Sequence, residues 1–449
     1  MLKNNHFFKT SIGNLLYVFS SALSTFLIIP IFISSWGAAK YGEWLAILFF
    51  TNSISFIFQG KINVDSNFIS SINFNIQKLI IYFRKTLIVQ LKQLLIIYLI
   101  ILLLIFFENL FFKTFFNEIN NYKTIILILM MSSIINLFQI NYLSIYRAKQ
   151  KSDIFFKLIS LKQLLNFINI FLFLKIFKFD VFEISISILI LESIFLLIIN
   201  NYYFLLFKKE KVFFYNKINS NKNIDLNVKK IQMTMFVFSE MTFNNLLPVL
   251  LGIFFTTTYV SSFHIHLQLS KIPRLVTMTI NEAFRNVMGP LKENQKKGEY
   301  IYYSVMILVA INFWSFVLFA ILIFFIGEYI FNILVANNLQ YLKDYLFSIV
   351  LYFFLESLWR SISTYNLSKN EHSQISRNYF FSSLLTLFFV ILFIKEINFM
   401  FFFIFQQFYM LFCAITFLKT KFKKVEFFNF IFIKFFKILL NMLDKKNGK

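Results

Sequence analysis

Residues 263–285 read FHIHLQLSKIPRLVTMTINEAFR. The stretch is as long as a membrane-spanning helix, yet it carries His264, Gln268, Lys271, Arg274, Asn281, Glu282 and Arg285. At about 100° per residue, His264, Lys271, Met278, Glu282 and Arg285 fall close to one line, flanked by Gln268 and Arg274. Ile265, Leu269, Ile272, Val276, Ile280 and Phe284 form the opposite, apolar face. A cation deep in hydrocarbon costs about 2.5 kcal/mol or more unless it meets water, a counter-ion or a bound anion. Lys271 and Arg274 therefore read as the lining of a cavity. The competing reading, an amphipathic connector at the membrane surface, is weakened by the strong apolar runs on both sides.

Working outward, the chain of 449 residues is 58% hydrophobic and 21% aromatic with only 14% charged residues, whereas a soluble domain carries about 25% charged residues. Runs of some 20 apolar residues recur from end to end, which predicts an all-α polytopic membrane protein of about twelve spans. The expected spans open with Ser11–Ile33, ended by Pro30 and the turn Trp36-Gly37, and with Tyr41 to Gly60. Thr86–Phe107, Tyr122–Tyr146, Ile154–Phe177 and Val181–Phe207 complete the first six. The second six are Ile231–Phe255, Val260–Met288, Tyr302–Ile326, Leu342–Tyr365, Ser376–Ile394 and Ile397–Leu418. The first apolar run has no small-residue cleavage site and is expected to continue as a span. Cys413 is the single cysteine, so no internal disulfide is possible.

The formal charge of +23 lies mainly between spans. Lys3 and Lys9, the stretch from Lys61 to Lys92, Arg147–Lys157, Lys208–Lys230, Lys292–Lys297, Lys369–Arg377 and the tail from Lys419 fall on one side. Sparse cations such as Lys40, Lys113, Lys178 and Lys395 fall on the other. Positive charge marks the cytoplasmic face, so both termini are expected in the cytoplasm. A constant offset places Pro30 on Pro248, Tyr41 on Tyr259 and Asn63 on Asn281. With the Asn- and Lys-rich linker this predicts two pseudo-symmetric six-helix lobes, 1–207 and 231–420, joined by residues 208–230 and followed by a basic tail, 421–449. Within the tail, Val425–Leu443 alternates apolar residues with Lys434 and Lys437, as an interfacial helix on anionic lipid does; a thirteenth span would have to bury both lysines.

No catalytic or nucleotide-binding pattern is present, and no Gly-rich phosphate loop, so an enzyme is not expected. His264 and His266 are two residues apart and point to different helix faces, and no paired acid completes a metal site. What remains is polar residues inside spans. Lys271 and Arg274, one turn apart, have the chemistry of a diphosphate clamp, with His264, Gln268 and Arg285 beside them. Glu240 and Glu282 are candidates for a counter-ion or for carrying a coupling proton or Na+. Gln59, Lys61, Asn63 and Asp65 either line a cytoplasmic mouth or are ordinary solvated helix-end residues. Lys162 is expected to snorkel; Glu192, Glu356 and Arg360 read as buried charges, Glu356 with Arg360, at i and i+4, as an internal ion pair. Pro248 and Pro273 are expected to kink their helices.

Several short motifs resemble the O-antigen flippase family of polysaccharide exporters, in the multidrug/oligosaccharidyl-lipid/polysaccharide exporter superfamily. They are Ser11-Ile12-Gly13-Asn14-Leu15-Leu16 with Pro30, and Gly37-Ala38-Ala39-Lys40-Tyr41-Gly42-Glu43-Trp44, similar to that family's turn between its first two helices. Gly60, the polar seventh span with Pro248, and the eighth span ending Gly289-Pro290-Leu291-Lys292-Glu293 fit as well. The resemblance covers roughly residues 10–420 in architecture. It implies a V-shaped exporter fold around a partly cationic cavity. The implied cargo is an undecaprenyl-diphosphate-linked oligosaccharide moved from the cytoplasmic to the periplasmic leaflet of the bacterial inner membrane. The implied partners are that lipid-linked cargo, the bilayer and other polysaccharide-assembly membrane proteins, with no nucleic acid. Ser11–Trp36 holds no acid, unlike many drug antiporters of the superfamily, and no basic residue, unlike peptidoglycan-precursor flippases. Rival readings are an ion-coupled drug or small-molecule antiporter, a polysaccharide polymerase or ligase, disfavoured by short outward loops, and a purely structural membrane protein.

Overall fold

The computed structural model describes residues 5–71, 119–148, 151–207, 223–288, 298–335, 339–368, 371–395, 398–421 and 430–434, with isolated helical positions between 83 and 99. Every regular element among them is helical. In chain order these are α1 (Asn5–Ser71), α2 (Tyr122–Ala148), α3 (Ser152–Phe171) and α4 (Val181–Phe207), then α5 (Asn223–Met241), α6 (Leu247–Phe254) and α7 (Thr257–Met288). The series ends with α8 (Gly298–Val335), α9 (Lys343–Ser368), α10 (Ser373–Phe393) and α11 (Met400–Lys421).

Nine helical segments among the described residues are long and apolar enough to cross a membrane. The first, Ile12–Ser53, holds two limbs of α1, broken at Gly37, where φ is 79° and ψ 167°. That backbone is open to glycine and strained for other residues. The expected third span, Thr86–Phe107, lies mostly outside the described residues, as does the linker 208–222. Helix α7 is not among the nine: its polar stripe lowers its hydropathy, although its 32 residues reach roughly 48 Å at 1.5 Å each. The flank of this architecture is apolar; Phe325 is 83% and Phe412 67% exposed, as suits side chains bathed in lipid rather than water.

Three local features add detail to the expected spans. The first span runs past Pro30 and Ile33 and breaks at Gly37, in the expected Trp36-Gly37 turn, while the Pro30 carbonyl accepts a hydrogen bond from Ser34 Oγ at 2.6 Å. Asn223–Lys230 is already helical, the start of α5. Pro248 lies inside one span, Val228–Phe254, in the first turn of α6 and directly after a π-helical turn, Thr242–Leu246. Proline has no N–H for the carbonyl one turn earlier, and a wide turn just upstream accommodates that missing rung. The helix continues through Pro273.

The chain forms two compact units. One comprises Met1–Ile265 with Ile330–Tyr341, the other His266–Tyr329 with Leu342–Lys449. In the first, α1 packs against α2, α3 and α5. Tyr142, Tyr146, Phe155, Phe156 and Ile199 form part of its core. Close approach is built in at Gly42, whose missing Cβ would run into the Thr257 carbonyl at the start of α7. We expect Gly42→Ala to remove the protein from the membrane fraction, because the obstacle is backbone and has no rotamer to escape into. Immunoblotting of membranes checks this; wild-type abundance would mean the two segments separate freely.

In the second unit, α9 packs on α11 and α11 on α10. Trp359 is fully buried there, donating from Nε1 to Gln407 Oε1 at 2.7 Å and meeting Tyr379 edge-on at 5.1 Å. Most of the basic tail lies outside the described residues. Its described part, Phe430–Lys434, is a π-helical turn lying against α8: Phe432 sits 5.4 Å from Phe313 and 5.7 Å from Trp314 between ring centres, and Phe430 6.2 Å from Tyr303.

Candidate functional site

The stripe on α7 folds as a helix because its apolar residues recur with helical spacing; its first turns are buried all round, with Ile265, Leu267 and Leu269 at 0% and His266 at 1% exposure, whereas Ile272, Val276 and Ile280 further along are half-buried. Within the second unit, α7 presents Lys271 and Arg274 toward α9. Arg274 donates to Glu356 through two nitrogens, Nε to Oε2 at 2.6 Å and Nη2 to Oε1 at 3.0 Å. This fork-on-fork geometry matches one edge of the planar guanidinium to the carboxylate. Its carbon lies 4.9 Å from the centre of the Phe353 ring. Arg360 Nη2 stands 2.9 Å from the same Glu356 Oε1, the i, i+4 pair expected on α9, and its guanidinium lies 5.3 Å from the Trp359 ring. Glu356 is 1% exposed. One buried carboxylate thus holds two arginines from two helices.

Lys271 is different. It is half-buried, feels the charges of Arg274 and Glu356, and among the described residues makes no hydrogen bond or ion pair. Three cations therefore surround one carboxylate. A polar track continues from there: Asn312, fully buried on α8, donates to Ser361 Oγ at 2.6 Å and to Asn281 Oδ1 at 2.7 Å. Beyond Asn281, Glu282 and Arg285 stand 3.7 Å apart, a loose and partly exposed pair. Gln268 is half-buried on the same helix.

The other sequence candidates lie elsewhere. His264 belongs to the first unit, its ring 5.5 Å from Phe49 and 6.3 Å from Tyr41. His266 accepts a hydrogen bond from the Leu342 backbone N–H at 3.0 Å, just before α9 begins, which gives it a structural use. Glu240 ends α5 beside the π-turn, its carbonyl accepting from Asn244 Nδ2 at 2.9 Å. Of Gln59, Lys61, Asn63 and Asp65 on α1, Asp65 is buried and paired with Lys230 of α5 at 2.7 Å. Lys61 lies over the Phe58 ring. Partial burial, then the charge of Lys230, pull its pKa below the usual lysine value.

A second buried charge cluster lies in the first unit; the sequence marks Glu192 as a buried charge but not its partner, Lys162. Lys162 does not snorkel. It is 5% exposed and its ammonium reaches Gln139 Oε1 at 2.9 Å, both oxygens of Glu192 at 3.1 Å and Asn136 Oδ1 at 3.3 Å. Gln139 in turn donates to Glu192 Oε2 and to the Glu192 carbonyl, both at 2.8 Å. The signal was there: a polar residue in the middle of three successive spans, α2, α3 and α4, each with an apolar background. Snorkelling wins only when the ammonium can reach water, and here a carboxylate is closer.

Solved structures of the same fold include an outward-facing and an inward-facing conformation of a multidrug resistance MATE family transporter of the MOP superfamily. Both give TM-scores of 0.70, at 15% and 13% identity, and cover 93% and 92% of this chain and 95% and 99% of theirs. A MOP superfamily transporter from Pyrococcus furiosus, described as having a binding pocket of reversed polarity that suggests a different function, gives 0.67 at 12% identity, over 93% of this chain and 95% of that one. No protein-family model and no curated protein sequence matches. The chain has the all-helical, multi-pass fold of MOP superfamily transporters.

Proposed function

We propose that this chain is a flippase of the bacterial inner membrane, carrying an undecaprenyl-diphosphate-linked oligosaccharide, an O-antigen or similar repeat unit of lipopolysaccharide, to the periplasmic leaflet by alternating access. The observation that carries the reading is Lys271, a half-buried ammonium with no ion-pair partner among the described residues, beside two arginines that share one carboxylate. An excess of cation in a low-dielectric setting stabilises an anion and repels a cationic drug. A diphosphate head cannot cross hydrocarbon unaided, and a protein-lined cation cluster offsets its desolvation. In this reading the cytoplasmic ends of the helices, both termini included, carry the basic loops, and Arg285 draws the head inward. Lys271 then takes the head, and Glu240 or Glu282 weakens the grip or carries the coupling proton or Na+. The chain does no covalent chemistry. Its sugars rest on many weak contacts, and it works beside other polysaccharide-assembly proteins.

The multidrug function of the similar structures supports the rival reading, a small-molecule antiporter of the same fold. Deleting the gene separates the two. The flippase reading expects the lipid-linked glycan to accumulate on the cytoplasmic side and surface glycan to disappear, with drug sensitivity unchanged. Intact surface glycan with heightened sensitivity to cationic drugs would establish the rival.

A further inference from the structure

The bidentate Arg274–Glu356 pair creates a difficulty for a simple clamp: the fork that would grip a phosphate already grips a carboxylate. We infer that Glu356 is an internal surrogate for the substrate's phosphate, holding the Arg274 fork until a diphosphate takes it over and reclaiming it to expel the head. The inference rests on the proposed diphosphate site and adds the means of release.

Geometry makes the exchange possible without stranding a charge. Glu356 has a second cation on its own helix, Arg360, at 2.9 Å, and that partner stays when Arg274 leaves. Arg360 is itself anchored over Trp359, which Gln407 fixes from α11. Arg274 comes from another helix, α7, and its guanidinium lies on the face of Phe353, one turn before Glu356 on α9. An aromatic face lets a guanidinium slide while keeping its cation–π contact. Carboxylate and phosphate both satisfy the same pair of N–H donors, so they compete for one site rather than bind side by side. Charge favours the swap only while the ligand is present. Lys271, Arg274 and Arg360 exceed Glu356 by two charges, which a diphosphate bearing about two negative charges cancels. Once the head enters water on the far side, the tethered carboxylate outcompetes it through local concentration. A carrier with three free cations would bind the head tightly and turn over slowly; an internal competitor keeps the affinity moderate.

The test measures binding of undecaprenyl diphosphate, and separately of inorganic diphosphate, to the full-length protein in nanodiscs. Glu356→Gln removes the competing charge while keeping the shape, and it should tighten diphosphate binding by roughly tenfold, an ordinary size for a coupling between groups, while slowing dissociation. Glu356→Asp draws the carboxylate back toward α9 and should tighten binding by a smaller factor. If Glu356→Gln fails to accumulate, Glu356→Asp carries the test. Unchanged or weaker binding in the variant that folds overturns the surrogate role and leaves Glu356 as a structural tie. Lys271→Ala separates the two claims. Equal binding by wild type and Lys271→Ala would remove the proposed site itself. Lost binding in Lys271→Ala without tightening in Glu356→Gln would keep the site and discard the exchange.

Discussion

Lys271→Ala will abolish glycan export in cells while the protein still accumulates in the membrane. The side chain makes no hydrogen bond or ion pair among the described residues, so its removal breaks no tie among them. What it takes away is a charge-assisted contact to the diphosphate, worth about 1.5–3 kcal/mol, which is roughly 10- to 150-fold in affinity. Lys271→Arg should retain much of the export, since either cation can meet a phosphate. Arg274 will behave differently. Its two-nitrogen grip on Glu356, at 2.6 and 3.0 Å, needs a planar fork. Arg274→Lys should therefore lose both export and some of the protein, and Arg274→Ala more of each, because Glu356 stays buried with one partner fewer. Complementation of a deletion strain, with immunoblotting of membranes, reads both effects. Equal export by Lys271→Ala and wild type at equal abundance contradicts the assignment.

The second large effect is on stability, in the first unit. Glu192→Ala will strand the Lys162 ammonium among the side-chain oxygens of Gln139 and Asn136. Breaking a buried pair by removing one member costs about 3–5 kcal/mol, a large share of the roughly 5–15 kcal/mol that holds a domain folded. The variant should nearly vanish from the membrane fraction, and what remains in detergent should aggregate at lower temperature. Adding Lys162→Met removes the stranded charge and should restore most of the loss, since Gln139 can still donate to the Glu192 backbone carbonyl at 2.8 Å. Wild-type abundance of Glu192→Ala would mean that water reaches Lys162 after all.

The contrast between these clusters shows what a single sequence discloses in a membrane protein. Span positions follow from local apolar runs, and Val181–Phe207 runs as a helix between the expected bounds. The polar stripe of α7 was legible for the same reason: helical periodicity is a local property, and a cation at the centre of a span is conspicuous. The i, i+4 pair of Glu356 and Arg360 was legible because both members share a helix. The identity of Arg274's partner was not, because the two residues are 82 positions apart and only the packing of α7 on α9 brings them together. Lys162 failed likewise: whether a lysine reaches water or a buried acid depends on which neighbouring helix turns its polar residue inward. Pro30 lies inside its helix, since a strong local breaker is tolerated when the helix around it is packed and lipid offers no competing hydrogen bonds.

The most direct test of the central claim is transbilayer movement by the purified protein. Proteoliposomes would carry an undecaprenyl-diphosphate-linked oligosaccharide with a labelled sugar, and a membrane-impermeant reagent would report how much label has crossed. The account predicts movement by the wild type, none by Lys271→Ala, and inhibition by undecaprenyl diphosphate lacking sugar. Wild-type protein that leaves the lipid-linked sugar where it was but exchanges a cationic dye for protons would contradict it.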